Sequence, residues 1–342
     1  MSPTSSNPPG LGPHVVGQRV VVRRVLRGET GPTGGPAFTD VLGVMEAWSS
    51  AQALIRTAGG DLVTIEVADI VSGKPVPPRP PVRMRVSPEV AERRALASWP
   101  AIETERLGDW VLRASAGYSS RANSVLAVDD PGVPLEEALE RVEAFYAAHG
   151  LRPWAQAVVG SDTQVALESA GWVLARPGEA DTLFQLVSVS SALRSVRRSL
   201  PPVVPAVQIS SRVDAVWLAD DLDAQDHREP AVAILEGPTQ VGFVSVLAPG
   251  SSEVVAKGRV ARGAGAVPGD EDWVGITNVW VSPDHRRERL GTVVMGAMLE
   301  WAAERGATTA YLQVRGDNAA GLAAYDRLGF TTHHAYRYLT TP

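Results

Sequence analysis

Short hydrophobic runs alternate with polar positions over the first part of the chain. Residues 15–27 (VVGQRVVVRRVLR) are rich in valine, a pattern that predicts a strand. Similar β-type runs follow at residues 38–48, 51–58 and 61–71. Gly59 and Gly60 stand between the last two runs, as expected of a hairpin turn. Several short strands with no helical period among them predict a small β-barrel of Src-homology type over residues 14–74.

A proline-rich stretch follows this predicted barrel. The sequence SGKPVPPRPPV has five prolines in eleven residues and predicts an extended linker, which we place at residues 75–92. A polyproline ligand for a partner protein is the alternative. Residues 1–13 have neither the charged nor the apolar region of a signal sequence, and we expect a disordered tail there.

Helical and strand-type periods alternate in the rest of the chain, and the same order occurs twice. An amphipathic helix is predicted over residues 134–150 in the first copy and over 289–307 in the second. After these helices, Gln156 and Gly171 are 15 residues apart, and Gln313 and Gly329 are 16 apart. We therefore predict an internal duplication, to which a chance match of two α/β units is the alternative.

The composition excludes several classes of function. The chain has 342 residues, enough for two or three domains, and its formal net charge of −6 gives no electrostatic support for binding nucleic acid or a membrane surface. It has no cysteine, which excludes disulfides and thiolate zinc sites, and its six histidines lack metal-ligand spacing. No apolar run reaches the roughly eighteen residues of a membrane span. We expect a cytoplasmic protein without a metal site.

The segment VSPDHRRERLGT, residues 281–292, predicts an anion site. A β-branched strand leads into an arginine-rich turn, and a long amphipathic helix starts directly after it. The first turn of a helix has backbone N–H groups without intrahelical partners, and the helix dipole is positive there. Gly291 permits close approach of a phosphate, and Arg286, Arg287 and Arg289 supply counter-charge. A solvated basic turn is the alternative.

Two motifs together resemble the GNAT superfamily of acetyl-CoA-dependent N-acyltransferases. The first is Val-x-Pro-x-x-Arg-x-x-x-Leu-Gly in the segment just described, and the second is Asn-x₆-Tyr-x₃-Gly-Phe, formed by Asn318, Tyr325, Gly329 and Phe330. The family's diphosphate loop has the pattern Gln/Arg-x-x-Gly-x-Gly/Ala. Arg286 and Gly291 match its two ends, whereas Arg289 stands where the first glycine belongs. The motifs cover about sixty C-terminal residues.

The resemblance implies an α/β (α+β) fold with a GNAT-like mixed sheet and flanking helices, and acetyl-CoA as cosubstrate. In the family, the strand before the loop splays from its neighbour and its main chain pairs with the pantetheine arm. The coenzyme-binding residues implied here are Val279, Trp280, Val281, Arg286, Arg287, Arg289, Leu290, Gly291, Thr292 and Asn318. Val279 or Trp280 would supply the amide that faces the thioester oxygen, and the amides from Arg287 to Thr292 would hold the diphosphate. Asn318 would contact the coenzyme arm.

Tyr325 is the catalytic residue that the resemblance implies, as the acid that protonates the departing thiolate. An aromatic on the core face of the last helix is the alternative. A general base is missing from the pattern, because many relatives have Glu or Asp where this chain has Thr277 and Asn278. The remaining options are water or a carboxylate of Asp220, Asp221, Asp223, Glu271 or Asp272, and we assign none.

The first copy, residues 93–200, lacks the loop and is expected to be a degenerate half. Asp129 and Asp130 stand where a pyrophosphate would dock and would repel it. The polar segment 117–124 (GYSSRANS) could line a cleft between the halves or form an ordinary hairpin loop. Residues 201–342 are expected to be the catalytic domain.

The leading hypothesis is an N-acetyltransferase that acetylates a primary amine by direct attack in a ternary complex. The layout resembles that of actinobacterial GNAT proteins with an N-terminal small β-barrel. The alternatives are a longer acyl-CoA as donor, a non-catalytic acyl-CoA sensor, and an adaptor whose barrel binds a peptide or nucleic acid. The acidic net charge favours a cationic acceptor. The sequence identifies neither that amine nor a partner of the barrel.

Overall fold

The computed structural model describes residues 10–31, 34–77, 81–263 and 272–342. The chain forms two compact units, Met1–Pro81 and Val82–Pro342. Residues 1–9 of the predicted tail, residues 78–80 of the predicted linker and the candidate base Glu271 lie outside the described residues. Within the described ranges, no helix is long and apolar enough to cross a membrane.

The first unit is a five-stranded antiparallel sheet. Its strands are β1 (Arg19–Thr30), β2 (Pro36–Trp48), β3 (Gln52–Thr57), β4 (Leu62–Glu66) and β5 (Ile70–Pro75), in the order β4-β3-β2-β1-β5. Alternate residues point inward, so that Val20, Val22, Met45, Ile55 and Ile65 are buried together. The predicted small β domain is confirmed.

The second unit contains two successive groups of helices and strands. The first group is α1 (Pro88–Leu96), β6 (Glu103–Leu107), β7 (Trp110–Ala114), β8 (Val125–Leu126), α2 (Leu135–Ala148), β9 (Trp154–Val158), α3 (Asp162–Ser169), β10 (Val173–Leu174) and β11 (Thr182–Ser188). The second group is α4 (Val189–Ser199), β12 (Val207–Ser210), α5 (Leu222–Asp226), α6 (Arg228–Glu236), β13 (Gln240–Leu247), β14 (Val254–Arg262), β15 (Trp273–Val281), α7 (Leu290–Glu304), β16 (Thr309–Arg315), α8 (Ala319–Arg327) and β17 (Thr331–Thr340). The order β8-α2-β9-α3 in the first group recurs as β15-α7-β16-α8 in the second, as the predicted duplication requires.

One mixed sheet runs through both groups. Its strand order is β12-β13-β14-β15-β16-β11-β17-β9-β8-β7-β6, with β10 beside β17. Each group has one parallel pair, β8 with β9 and β15 with β16. The last strands are exchanged: β11 of the first group pairs with β16, and β17 of the second pairs with β9. Because β11 also pairs with β17, the two halves share a continuous sheet.

Helix α7 is the central helix of the second half. Leu290, Val294, Met298 and Trp301, which the sequence places on one face, are buried in the core. The opposite side of α7 is covered by α4, where a Cβ added at Gly296 would lie 2.9 Å from Val196 Cγ1. Burial on two sides explains why α7 is apolar over most of its circumference. The start of α7 is therefore held rigidly against the end of β15.

Candidate active site

Strand β15 separates from its neighbour β16 halfway along its length. The two strands pair in parallel only from Trp273 to Ile276, whereas β15 continues to pair with β14 as far as Val281. At Asn278 the β14–β15 register shifts and the backbone adopts a φ of +53°. This bulge bends the strand away from β16. Residues 277–281 thus have an unpaired edge that faces a gap between the strands.

The turn after β15 presents free backbone donors. A short 3₁₀ helix, Pro283–His285, is followed by Arg287 and Arg289 with positive φ of 70° and 62°. Within the described residues, the N–H groups of residues 287–291 have no hydrogen-bond partner. Successive amides in this conformation, at the N-terminus of a long helix, form an anion-binding concavity. Residues 286–289 are exposed, and Gly291 has room for close approach of a ligand.

Two groups of this turn that were predicted to bind the coenzyme have contacts within the protein. The amide of Thr292 donates to the carbonyl of Arg289 at 2.9 Å, so it is not available to a diphosphate in this conformation. The guanidinium of Arg289 folds back and donates from Nη1 to the carbonyl of Leu200 at 3.2 Å, at the C-terminus of α4. Arg289 is also the N-cap of α7 in a left-handed conformation. That backbone geometry is the physical reason why a glycine suits this position.

Tyr325 lies on α8 and packs against the same core as Val279, Val281 and α7. Its ring is 5.9 Å from that of Phe330. Burial raises the pKa of the Tyr325 phenol, so the hydroxyl keeps its proton at neutral pH. Within the described part of the chain, this hydroxyl has no hydrogen-bond partner, although the ring itself contributes to the core, as the alternative interpretation expected.

Asn318 is the N-cap of α8. Its Oδ1 accepts a hydrogen bond from the amide of Gly321 at 2.9 Å. A capping role therefore explains this asparagine at least in part, and its side-chain nitrogen remains for a ligand. The helix cap also fixes where the chain turns between β16 and Tyr325.

A pocket of about 310 Å³ lies beside the strand gap. Val274 and Ile276 of β15 point to the face of the sheet that α7 covers. Trp273 points to the opposite face, where it packs with α1. Thr277 follows the alternation of Trp273, so the pocket that it lines opens on the face opposite α7 and Tyr325. The pocket is lined by Trp99, Ser119, Ser120, Arg121, Arg176, Thr182, Thr277, Asn278, Gln313, Arg315, Tyr336 and Tyr338.

Residues of both halves form this pocket. Ser119, Ser120 and Arg121 come from the segment that the sequence suggested as a cleft lining, whereas Thr277 and Gln313 come from β15 and β16. Two guanidinium groups lie near the ring of Trp99: Arg121 Cζ and Arg259 Cζ are each 5.2 Å from the ring centroid. Sequence reasoning missed Trp99 and Arg259, because neither residue belongs to a motif and both reach the site only through the fold.

The carboxylates considered as a general base have other contacts in the structure. Asp220 is paired with Lys257, and Asp221 accepts from the amide of Ala224 at 3.0 Å as a helix cap. Asp223 accepts from the amide of Ser119 at 3.0 Å, at the rim of the pocket. Asp272 precedes β15 by one residue, at the opposite end from the bulge, roughly 20 Å from Asn278 at the rise of a strand.

The corresponding region of the first half has a different character. A cleft of about 650 Å³ lies at the end of β8 and is lined by Glu89, Asp129, Asp130 and Asp162 among other residues. Arg93 binds Asp129 at 2.6 Å, and α2 begins after the N-cap Pro134 without an arginine-rich turn. Four carboxylates would repel a diphosphate at this place. The predicted diphosphate site of the second half therefore has no counterpart in this cleft of the first half.

Comparison with known proteins places both units in described families. Residues 89–339 match the family model for the C-terminal region of the probable histone acetyltransferase Rv0428c, and residues 14–74 match the model for its N-terminal Sm-like domain. The chain is 29% identical over 336 residues to the probable histone acetyltransferase Rv0428c of Mycobacterium tuberculosis, covering 97% of this chain and 95% of that protein. It is 26% identical over 253 residues to the uncharacterized N-acetyltransferase YobR of Bacillus subtilis, covering 72% and 96% of the two chains.

A solved structure has the same overall fold. A tandem GNAT protein from the clavulanic acid biosynthesis pathway superposes with a TM-score of 0.53 at 14% identity, covering 73% of this chain and 87% of its own. At this level of identity the similarity concerns the arrangement of the two halves.

Proposed function

The chain belongs to the GNAT superfamily of acyltransferases, in the family of Rv0428c, and we propose that it transfers an acetyl group from acetyl-CoA to a primary amine within a ternary complex. The observation that carries this proposal is the combination of the opened edge of β15 with the free amides at residues 287–291. The end of β15 offers a strand edge to an extended, amide-containing chain. The turn that follows β15 offers hydrogen-bond donors to paired phosphates.

The fit of the coenzyme can be judged from these two features. The unpaired edge over residues 277–281 suits the amides of a pantetheine arm, which would add to the sheet like a strand. The exposed guanidinium groups of Arg286 and Arg287 would supplement the amide donors of the turn. In this proposal Val279 or Trp280 offers the amide that stabilises the oxyanion, and acetyl-CoA supplies the acetyl group as a thioester.

The two faces of the sheet would then have separate tasks. The amine in the pocket attacks the carbonyl carbon through the strand gap, a C–N bond forms, and the C–S bond breaks. Tyr325, on the α7 side, donates its phenolic proton to the departing sulfur and regains one from solvent. The nitrogen releases its extra proton to water. This division agrees with the placement of Thr277 and Tyr325 on opposite faces.

The positive surroundings of the pocket compensate for the lack of a strand carboxylate. Arg259 is fully buried and bonds only neutral oxygens, those of Leu235, Ser98 and Thr277. A nearby uncompensated cation disfavours a second positive charge and lowers the pKa of a bound ammonium group. The acceptor amine would therefore lose its proton more readily in the pocket than in water.

Release of free thiol from acetyl-CoA in the presence of an amine panel tests the proposal. We expect thiol release with at least one amine, with a matching acetylated product found by mass spectrometry. Binding of acetyl-CoA by calorimetry without thiol release for any amine would favour the acyl-CoA sensor instead. Absence of coenzyme binding would refute both.

A further inference from the structure

We propose that the acceptor is a small primary amine that also carries a carboxylate, and that Arg121 binds this carboxylate. The inference rests on the proposed acetyl transfer and specifies its second substrate. It rests on the charges of the pocket wall. The charged residues of the lining are arginines, whereas the chain as a whole has a negative net charge.

Arg121 is a cation without a carboxylate partner. Within the described residues no carboxylate lies in salt-bridge range of its guanidinium, and its Nε is buried without a hydrogen bond. Its Cζ lies 5.2 Å from the centroid of the Trp99 ring, and the hydroxyl of Tyr336 is a neutral hydrogen-bond partner of its guanidinium. A guanidinium with a neutral partner in place of a carboxylate keeps its uncompensated charge, and it has further N–H donors for a planar anion.

The other two arginines of the pocket are neutralised. Arg315 pairs with Asp317 and with Glu179, the latter at 3.2 Å, and Arg176 lies 3.6 Å from Glu179. Arg176 also donates to Ser120 Oγ at 2.7 Å. The lining itself contains no Asp or Glu. Arg121 therefore determines the local charge of the pocket wall.

Arg259 adds a second uncompensated positive charge near Trp99. Its side chain is fully buried, its hydrogen bonds go to neutral oxygens, and burial lowers its pKa to about 9. Arg259 is buried and Arg121 is half-buried, so two positive charges lie near one indole without a carboxylate in salt-bridge range among the described residues, which favours the approach of an anion. The substrate carboxylate would pair with Arg121, the more exposed of the two, and would leave Arg259 as the uncompensated cation that the proposed function uses.

The amine end of the ligand has a place at the strand gap. Asn278 Oδ1 and Gln313 Oε1 line the pocket on either side of the gap, and both oxygens are buried without a hydrogen-bond partner in the described part of the chain. Unsatisfied acceptors of this kind complement N–H donors. A volume of about 310 Å³ is at the small end of ligand pockets, which favours a compact molecule with the two groups at its ends.

The experiment compares amino acids with their primary amides, in which only the carboxylate is changed. The panel contains glycine, phenylalanine, lysine, β-alanine and γ-aminobutyrate with the corresponding amides, and a lysine-rich peptide with a blocked C-terminus. Turnover is measured as thiol release, and binding by calorimetry with CoA present in place of acetyl-CoA. We expect at least one acid to exceed its amide by about tenfold or more in kcat/KM and in affinity, as a charge-assisted hydrogen bond provides.

Variants of Arg121 identify the group responsible. In Arg121→Gln, the preference for the acid over the amide should fall about 10- to 100-fold, while affinity for CoA stays the same; Arg121→Lys should restore part of the preference. Arg141→Gln is the matched control and should keep the preference, because Arg141 lies on α2 outside the pocket and pairs with Glu137 there. A cooperative thermal unfolding transition of Arg121→Gln without ligand confirms that the variant is folded.

The outcomes separate this inference from the proposed function. If acids bind selectively through Arg121 but no thiol is released, the carboxylate site at Arg121 stands and acetyl transfer is refuted. If amides or the basic peptide react or bind as well as the acids, the inference is refuted while acetyl transfer stands. If no compound binds more tightly as the acid, or if Arg121→Gln keeps the preference, Arg121 is not a carboxylate site.

Discussion

Replacement of Tyr325 by phenylalanine tests the chemistry most directly. The substitution removes one hydroxyl and keeps the ring that packs against the core with Phe330. Loss of a general acid typically lowers a rate by about 10² to 10⁴-fold, which corresponds to about 3 to 5 kcal/mol in the activation free energy. We therefore expect kcat for thiol release to fall by this factor in Tyr325→Phe.

The folded state should tolerate this change. The Tyr325 hydroxyl has no hydrogen-bond partner among the described residues, so its removal leaves no other group unsatisfied. The free energy of unfolding should change by less than about 0.5 kcal/mol. The dissociation constant of acetyl-CoA should stay within about threefold, because the diphosphate donors lie on a different element.

Tyr146→Phe is the matched control. The hydroxyl of Tyr146 is buried in the first half and donates to the carbonyl of Arg113 at 3.1 Å. Its removal should destabilise the fold by about 1 to 2 kcal/mol with turnover nearly unchanged. Tyr325→Phe should therefore lower turnover without lowering stability, and Tyr146→Phe should lower stability without lowering turnover. Retention of more than half of kcat in Tyr325→Phe would show that another group protonates the thiolate.

The pH profile gives a second measure of the same residue. Because burial raises the pKa of the Tyr325 phenol above its ordinary value near 10, the acid form is present throughout the range from about pH 6 to 9. We therefore expect that deprotonation of Tyr325 causes no decrease of kcat in this range. Any decrease that the unchanged protein shows there should also occur in Tyr325→Phe. A decrease centred below pH 9 and absent from the variant would contradict the assigned environment.

Three further predictions concern the turn and the fold. Gly291→Glu should weaken acetyl-CoA binding at least about 100-fold by calorimetry. In Gly291→Ala, the added methyl group would lie 3.6 Å from Val281 Cγ2, and the dissociation constant should stay within about threefold. Normal binding by the Glu variant would refute the diphosphate site. At position 289, with its φ of 62°, the Gly variant should be more stable to urea than the Ala variant by about 1 kcal/mol, and the opposite order would show that the left-handed N-cap is not formed. Burial and the neighbouring His334 lower the pKa of His333, so the unfolded chain binds more protons below about pH 6.5, the ordinary histidine pKa. Stability should therefore fall as the pH decreases through this range, and the unfolding temperature of His333→Gln should depend less on pH between 5.5 and 7.5, as thermal scans can test.

The parts of the site that local sequence determines were predictable, and the parts that depend on distant contacts were not. A strand, an arginine-rich turn and a helix in direct succession predict free amides, and the structure has them at residues 287–291. The side chain of Arg289 was assigned to the coenzyme, yet it donates to Leu200, which is 89 positions away in the chain. The hydrogen bond from the Thr292 amide likewise depends on the left-handed N-cap, which the residue type did not suggest.

The exchange of last strands was also beyond sequence reasoning. The two copies predict the correct order of helices and strands, and each copy is compatible with a sheet of its own. That β11 lies beside β16 and β17 beside β9 depends on long-range pairing, which the hydrophobic period cannot specify. The predicted domain bounds at residues 200 and 201 remain a prediction for the same reason.

The exchange and the proposed acceptor pocket together would give the first half a role in the reaction that its own cleft does not have. Its acidic lining is unsuited to a diphosphate, but its segment around Ser119–Arg121 forms one wall of the pocket at the β15–β16 gap. Strand β11, also from the first half, fills the position next to β16 and keeps β17, with Tyr336 and Tyr338, at the pocket. Loss of the phosphate turn in this half therefore leaves the proposed reaction intact, whereas loss of its fold would remove both the cation and the sheet neighbour on which the acceptor pocket depends.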